Sequence, residues 1–344
     1  MQNIYKKIIS NKIVIIAEAG VNHNGRISIG KKLIEAAKRA GADCIKFQTY
    51  KAEELTIKKA KRFWDWNGEK KKIGTQFDSY SKLDSFNYEE YKKLFDYCRK
   101  MKIEFQSTPF DIKSVKILEK LGVKTYKIAS CDITNFLLIN EVSKTKKPIF
   151  LSTGASSIKE IKNAVKIIKK YHNKIVIMHC ILCYPTSLKD SNLLSITKLK
   201  ETFPSIPIGL SDHTLGVEAS IASFALGSAA LEKHFTINKK LKKSADHWLS
   251  VNEAELKEIV IKSKNILKIL GTKEKKLFKC EVLAMKNARR SLIASKNIKK
   301  REVFSYENLT TKRPGTGISA NKFFNYIGKQ SKHNYSSDDF IKEQ

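Results

Sequence analysis

The chain has 344 residues, 42% of them hydrophobic, and a formal charge of +32, enough for a large buried core and a small second unit. No apolar run approaches the roughly 20 residues of a membrane-spanning helix, and the first ten residues lack the apolar stretch of a signal peptide, so a cytoplasmic protein with no membrane partner is expected. The charge excess is almost wholly lysine spread along the chain with no base-reading module, which sets nucleic acid aside as a partner and leaves lysine-rich helix faces that can steer anions.

From residue 13 onward, short β-branched runs alternate with longer amphipathic stretches. Strands are predicted at residues 13–18, 43–48, 103–107, 125–129, 149–152, 175–179, 206–211 and 229–234. The clearest helices are 29–39, stopped by Gly41, 114–121, stopped by Gly122, 158–170, and 253–270, stopped by Gly271. Eight strands separated by helices predict a closed (β/α)8 TIM barrel over residues 1–271, and no strand is followed by the GxGxxG turn that would favour an open doubly wound sheet. Residues 50–85, carrying Trp64, Trp66, Phe77 and Tyr80, form an unusually long loop after the second strand, to be read either as a substrate wall or as an excursion packing on a partner chain. A charged stretch, 272–287, reads as a linker, and 288–344 as a small domain that must dock on a barrel to be stable.

In such a barrel the C-terminal strand ends share one mouth. His213 and His234 close two strands joined by a helix-like segment, so they are parallel neighbours whose imidazoles can converge on one ion; the alternative is a pair of histidines satisfied by backbone carbonyls. The other strand ends offer Glu18 with Asn22, His23 and Asn24, then Lys46, Gln48, Ser107, Thr108, Lys127, Ser130, Asp132, Ser152, Thr153, His179, Tyr184, Ser211 and Glu232. Two ammonium groups among hydroxyls suit a bound phosphate, and two imidazoles beside a carboxylate suit a divalent metal that polarises a carbonyl. Each has a rival. The lysines can pair with Glu18 and Asp132 as an ion network or form a Schiff base, the hydroxyls can cap helices, and His23 can merely shape a turn. The six cysteines are expected to be reduced, and Cys180 and Cys183, although spaced as a CxxC, read as a strand end entering a loop.

Taken in order, Glu18 with Asn22-His23-Asn24-Gly25, Lys46-Phe47-Gln48-Thr49, Ser107-Thr108-Pro109-Phe110, Tyr126-Lys127-Ile128-Ala129-Ser130, Leu151-Ser152-Thr153-Gly154, Tyr184-Pro185-Thr186, Ser211-Asp212-His213-Thr214, Glu232-Lys233-His234-Phe235 and Arg313-Pro314-Gly315 resemble the bacterial sialic acid synthase family over essentially the whole chain. The tail from about Ala288 resembles that family's antifreeze-like (SAF) domain. The resemblance implies condensation of phosphoenolpyruvate with an N-acetylated amino sugar of the N-acetylmannosamine type, giving a nine-carbon 2-keto acid and phosphate. It implies that His213 and His234 hold a divalent metal, manganese first, with magnesium or cobalt as alternatives. Lys46, Thr108, Lys127, Ser130, Ser152 and Ser211 would hold phosphoenolpyruvate, and Gln48, Tyr184 and Asp246 the sugar. Glu18 would act as acid/base or water-positioning group near the reacting carbons, with Asp132 as a second catalytic carboxylate. It further implies a domain-swapped homodimer in which Arg313 reaches the partner's sugar. Asp132 stands where some members carry glutamate, Leu182 where some carry asparagine, and Arg289 where some carry an aromatic. These departures bear on the choice of sugar, N-acetylmannosamine, its 6-phosphate or a 6-deoxy diacetamido sugar, more than on catalysis.

Overall fold

The computed structural model describes residues 3–62, 74–84 and 86–343. Trp64 and Trp66, expected on the long loop, lie outside the described residues. Two compact units divide the chain, residues 1–271 and 272–344.

In the first unit eight parallel strands close on themselves in sequence order: β1 (Val14–Gly20), β2 (Cys44–Thr49), β3 (Glu104–Pro109), β4 (Tyr126–Ile128), β5 (Ile149–Ser152), β6 (Ile175–Cys180), β7 (Ile208–Asp212) and β8 (Ala230–His234). Nearly every strand residue is buried, because each strand has the barrel interior on one face and a helix layer on the other. The helices connecting the strands start where polar side chains take up free backbone N–H groups. Asn87, Asp111, Asn135, Ser157 and Asn252 each cap one; Gly122 ends the helix that Asp111 starts, and Gly41 ends the helix after β1, both in left-handed conformation. The rim serines and threonines are therefore not the helix caps.

One helix was not anticipated. Residues Ile4–Ile9 form a short helix capped by Asn3, and Ile4 and Ile8 pack with Val14, Ile16, Phe150, Val176 and Met178. The Ile4 amide donates to the buried Glu104 carboxylate at 2.9 Å, fixing this plug to the start of β3. The barrel is thus filled from its N-terminal end by apolar side chains, which leaves the opposite end for polar ones.

The described parts of the 50–85 stretch include two short helices, Ala52–Leu55 and Gln76–Ser81. Tyr50 and Leu83 pack with Val21, and Tyr80, Phe110 and Ala245 adjoin them. This segment therefore lies against the loops that follow β1, β3 and β8, on the mouth side of the barrel.

The second unit is built on an antiparallel pair, β9 (Ser291–Ala294) and β10 (Leu309–Lys312), over a core of Leu292, Ile298, Phe304, Leu309, Tyr326, Tyr335 and Ile341. The stretch 272–287, read as a linker, groups with this unit and enters the helix Val282–Ala288.

Candidate active site

Strand alternation aims Glu18, Lys46, Gln48, Thr108, Lys127, Ser152, Ser211, Glu232 and His234 into the mouth. Register brings them level, since Glu18 pairs with Lys46 on one side and with His234 on the other, and Ser211 pairs with Glu232. At Gly20, with φ +49°, a Cβ would come within 3.2 Å of both the Gln48 amide and the Glu18 carboxylate, so glycine keeps room for their contact.

The floor of the mouth is a buried charge network. Lys46 Nζ lies 2.7 Å from Glu18 Oε2 and 3.8 Å from Glu232 Oε1, and donates to Thr108 Oγ1 at 3.0 Å. Lys127 Nζ donates to Glu232 Oε1 at 2.8 Å, an oxygen that also accepts from Ser211 Oγ at 3.1 Å. Gln48 donates to Glu18 Oε1 at 3.1 Å. The ion network weighed above exists, with one correction. Lys127 pairs with Glu232, whereas Asp132 accepts from Asn135 at 3.1 Å in the turn after β4. Ser130 Oγ accepts from the Gly154 amide at 2.9 Å, and Ser152 Oγ is buried with no hydrogen-bond partner among the described residues.

The two glutamates are driven apart. Burial and the Glu232 charge push Glu18 up to about 7 against the pull of Lys46. Burial would raise Glu232 too, but Lys127 and Lys46 outweigh it and hold that carboxyl down to about 2. For Lys46, burial opposes the charge and the two carboxylates more than restore it, so its pKa is raised. Two carboxyls separated in this way suit different tasks, one exchanging a proton near neutrality and one fixed as an anion.

Linkage makes this testable. Between its ordinary 4.5 and about 7, Glu18 keeps in the native state a proton that the unfolded chain has lost, so rising pH through this window costs stability. Glu232 acts in the opposite sense and at lower pH, contributing stability above 4.5 that is lost as pH falls toward 2. Urea midpoints across pH 4.5 to 7 are expected to fall in the wild type relative to Glu18→Gln. A constant difference would contradict the raised Glu18.

The wall of the mouth is aromatic and imidazole. The His213 and His234 rings lie with centroids 5.4 Å apart, and the Tyr184 ring sits 4.0 Å from His213 and 5.8 Å from His234. A ring nitrogen sits about 2.1 Å from a bound cation, so this separation of the ring centres is compatible with two imidazoles sharing one ion. His213 Nδ1 is 2.8 Å from the Ile181 carbonyl, a bond that places the proton on Nδ1 and leaves the Nε2 lone pair free. Burial opposes a charge on His213, but the neighbouring Cys180 and Ile181 outweigh it and raise its pKa. Burial, followed by His213 and Lys46, holds His234 well below the ordinary histidine value, so it is neutral. Its Nδ1 is buried without a hydrogen bond and 3.7 Å from Asp246, whose carboxyl burial pushes up to about 6. Among the described residues no cluster of three or more histidine, cysteine or acidic side chains forms a cation site. With the His213 Nε2 lone pair free and His234 neutral, the two imidazoles fit a divalent cation that would take its remaining ligands from water or substrate.

Other readings resolve simply. His23 Nδ1 accepts from the Gly25 amide at 3.0 Å and shapes its turn, and His179 bonds the Ser191 carbonyl at 2.9 Å. Cys180 ends β6 and Cys183 lies in the loop beyond it, both as free thiols. Arg313 belongs to the second unit, beside a cis bond to Pro314, and is not among the side chains the barrel itself gathers. Glu232 is the residue of the mouth's charge network that the sequence reading undervalued, although the alternation that turns His234 inward turns Glu232 inward as well.

A (β/α)8 barrel that gathers buried lysines, hydroxyls and paired imidazoles at its C-terminal mouth has the layout of an enzyme site, with cations and hydroxyls suited to an anion. Residues 33–275 match the NeuB family, and the chain belongs to that family. It is 40% identical to the N,N'-diacetyllegionaminic acid synthase of Campylobacter jejuni, over 96% of this chain and 99% of that protein. It is 34% identical to a pseudaminic acid synthase of the same species, over 96% of each. The fold matches the crystal structure of N-acetylneuraminic acid synthetase from Leptospira borgpetersenii in complex with citrate with a TM-score of 0.71 and 34% identity, over 80% of this chain and 90% of that one. These three relatives are described as synthases of legionaminic, pseudaminic and sialic acids. Among the described residues no helix is long and apolar enough to cross a membrane.

Proposed function

We propose that the protein is a cation-dependent nonulosonic acid synthase that joins phosphoenolpyruvate to an open-chain N-acylated amino sugar, releasing phosphate. The observation that carries this reading is the meeting of two environments within one mouth, a floor of two buried ammonium groups and hydroxyls and a wall of two imidazoles. Lys46 and Lys127, with Thr108, Ser130, Ser152 and Ser211, hold the phosphate and carboxylate of phosphoenolpyruvate, the ammonium groups turning to it from Glu18 and Glu232. His213 and His234 hold a divalent cation, manganese first and magnesium or cobalt as alternatives, which when bound polarises the sugar aldehyde and stabilises the charge developing on its oxygen. Gln48, Tyr184 and Asp246 orient the sugar. The enol C3 attacks the aldehyde carbon and water adds at C2. Glu18, with its pKa near neutrality, takes the proton water loses and returns it to the new alkoxide. Expulsion of phosphate then leaves the 2-keto group. Asp132, in the turn after β4, bears on the sugar rather than on the proton transfer.

A Schiff-base aldolase is disfavoured by the same network. The amine of such an enzyme must be unprotonated, and Lys46 is held protonated by two carboxylates. Borohydride with pyruvate is expected to leave Lys46 and Lys127 unmodified; a stable adduct on either would favour the aldolase.

For the acceptor, we propose a 6-deoxy diacetamido sugar of the legionaminic type. The 40% identity to a diacetyllegionaminate synthase supports this, as does the exposed apolar Leu182 beside Tyr184, which suits a methyl better than a hydroxyl. Mass spectrometry of products from phosphoenolpyruvate with N-acetylmannosamine, its 6-phosphate and the 6-deoxy diacetamido sugars tests the choice. The last are expected to be used best, and preference for either of the others would overturn it. We read the second unit as an antifreeze-like (SAF) domain that in a domain-swapped homodimer brings Arg313 to the partner's sugar.

A further inference from the structure

Directly before each imidazole stands a charged residue that faces the other way. Asp212 and Lys233 are register partners on β7 and β8, and their side chains point out of the barrel toward the helix layer. Both are about 1% exposed, and Lys233 Nζ lies 2.8 Å from Asp212 Oδ2. The same ammonium donates to the Thr214 carbonyl at 2.6 Å, so it holds the residues on both sides of His213 while itself adjoining His234. The remaining valences are filled. Asp212 Oδ1 accepts from the Thr214 amide and hydroxyl, both at 2.8 Å, and Oδ2 accepts from Ser220 at 2.5 Å.

An ion pair this deeply buried is a poor source of stability, since two well-packed apolar side chains often do as well or better. Its geometry, by contrast, is demanding, because it fixes β7 against β8 at one register and one twist where the histidines leave the strands. We infer that Asp212 and Lys233 are positioning residues that set the spacing and orientation of His213 and His234, and hence the affinity of the mouth for a divalent cation. The inference rests on the reading that the two imidazoles share a cation.

The test is manganese(II) binding to the full-length protein, followed by electron paramagnetic resonance, with thermal melting and the KM for phosphoenolpyruvate measured alongside. Wild type is compared with Asp212→Asn and with the double variant Asp212→Asn, Lys233→Met, which leaves no unpaired buried charge. The double variant is expected to melt close to wild type and to weaken manganese binding by about tenfold or more, the usual effect of losing a group behind a metal ligand. The KM for phosphoenolpyruvate at saturating manganese is expected to stay nearly unchanged. Asp212→Asn, which keeps the Thr214 bonds but leaves Lys233 unpaired, is expected to lose several-fold and to melt lower; should neither fold, Lys233→Arg, which keeps the ion pair with a different reach, decides the question by the same several-fold loss. Unchanged manganese affinity in a folded variant would overturn the inference alone. A wild type that binds no manganese would remove it together with the two-histidine reading.

Discussion

His234→Ala is expected to reduce condensation by about a thousandfold, the scale on which loss of one preorganised group facing the developing charge is felt. His234 is neutral, carries a buried nitrogen without a protein hydrogen bond, and lies 5.4 Å from His213 between ring centres. Removing it therefore takes away one of the two imidazoles proposed to hold the cation while leaving the lysine floor untouched. Steady-state kinetics should find the loss in kcat, with manganese affinity lowered and the KM for phosphoenolpyruvate little altered. Because the ring makes no hydrogen bond that holds the barrel together, the variant should melt near wild type. Retention of near-normal turnover with the same manganese dependence would mean that the imidazole pair is structural.

Lys127→Met is expected to act on the other half of the site. It removes one of two buried ammonium groups and leaves the Glu232 carboxylate with Lys46 at 3.8 Å and the Ser211 hydroxyl at 3.1 Å. Deleting one partner of a buried, hydrogen-bonded charge pair in a binding site costs on the order of a hundredfold in affinity, and here the anion would also meet an uncompensated carboxylate. The KM for phosphoenolpyruvate should rise by that order while manganese binding stays put. If instead manganese affinity fell and the KM did not move, the phosphate would have to sit elsewhere. Together the two variants separate floor from wall.

Much of this was legible from the sequence because strand periodicity is a strong signal when both faces of a strand are buried. Eight short β-branched runs specify the barrel, and the residues closing them, Glu18, Lys46, Lys127 and the two histidines, fall at one mouth because parallel strands end together. What was not legible depends on partners distant in sequence. Lys127 was matched with nearby Asp132, but the closed barrel sets β8 across the mouth and gives it Glu232, 105 residues away. Lys233 was given no role within its predicted strand, and only the sheet register pairs it with Asp212. The plug helix Ile4–Ile9 is too short to announce itself by periodicity and is held by tertiary packing under the barrel.

In the proposed reaction, floor and wall act together. The direct measurement is phosphate release from phosphoenolpyruvate by metal-stripped protein, with manganese and a 6-deoxy diacetamido sugar added singly and together. Release is expected only when both are present, in step with formation of a nine-carbon 2-keto acid. Release without the sugar, or sugar-dependent release unaffected by chelator and manganese, would contradict it.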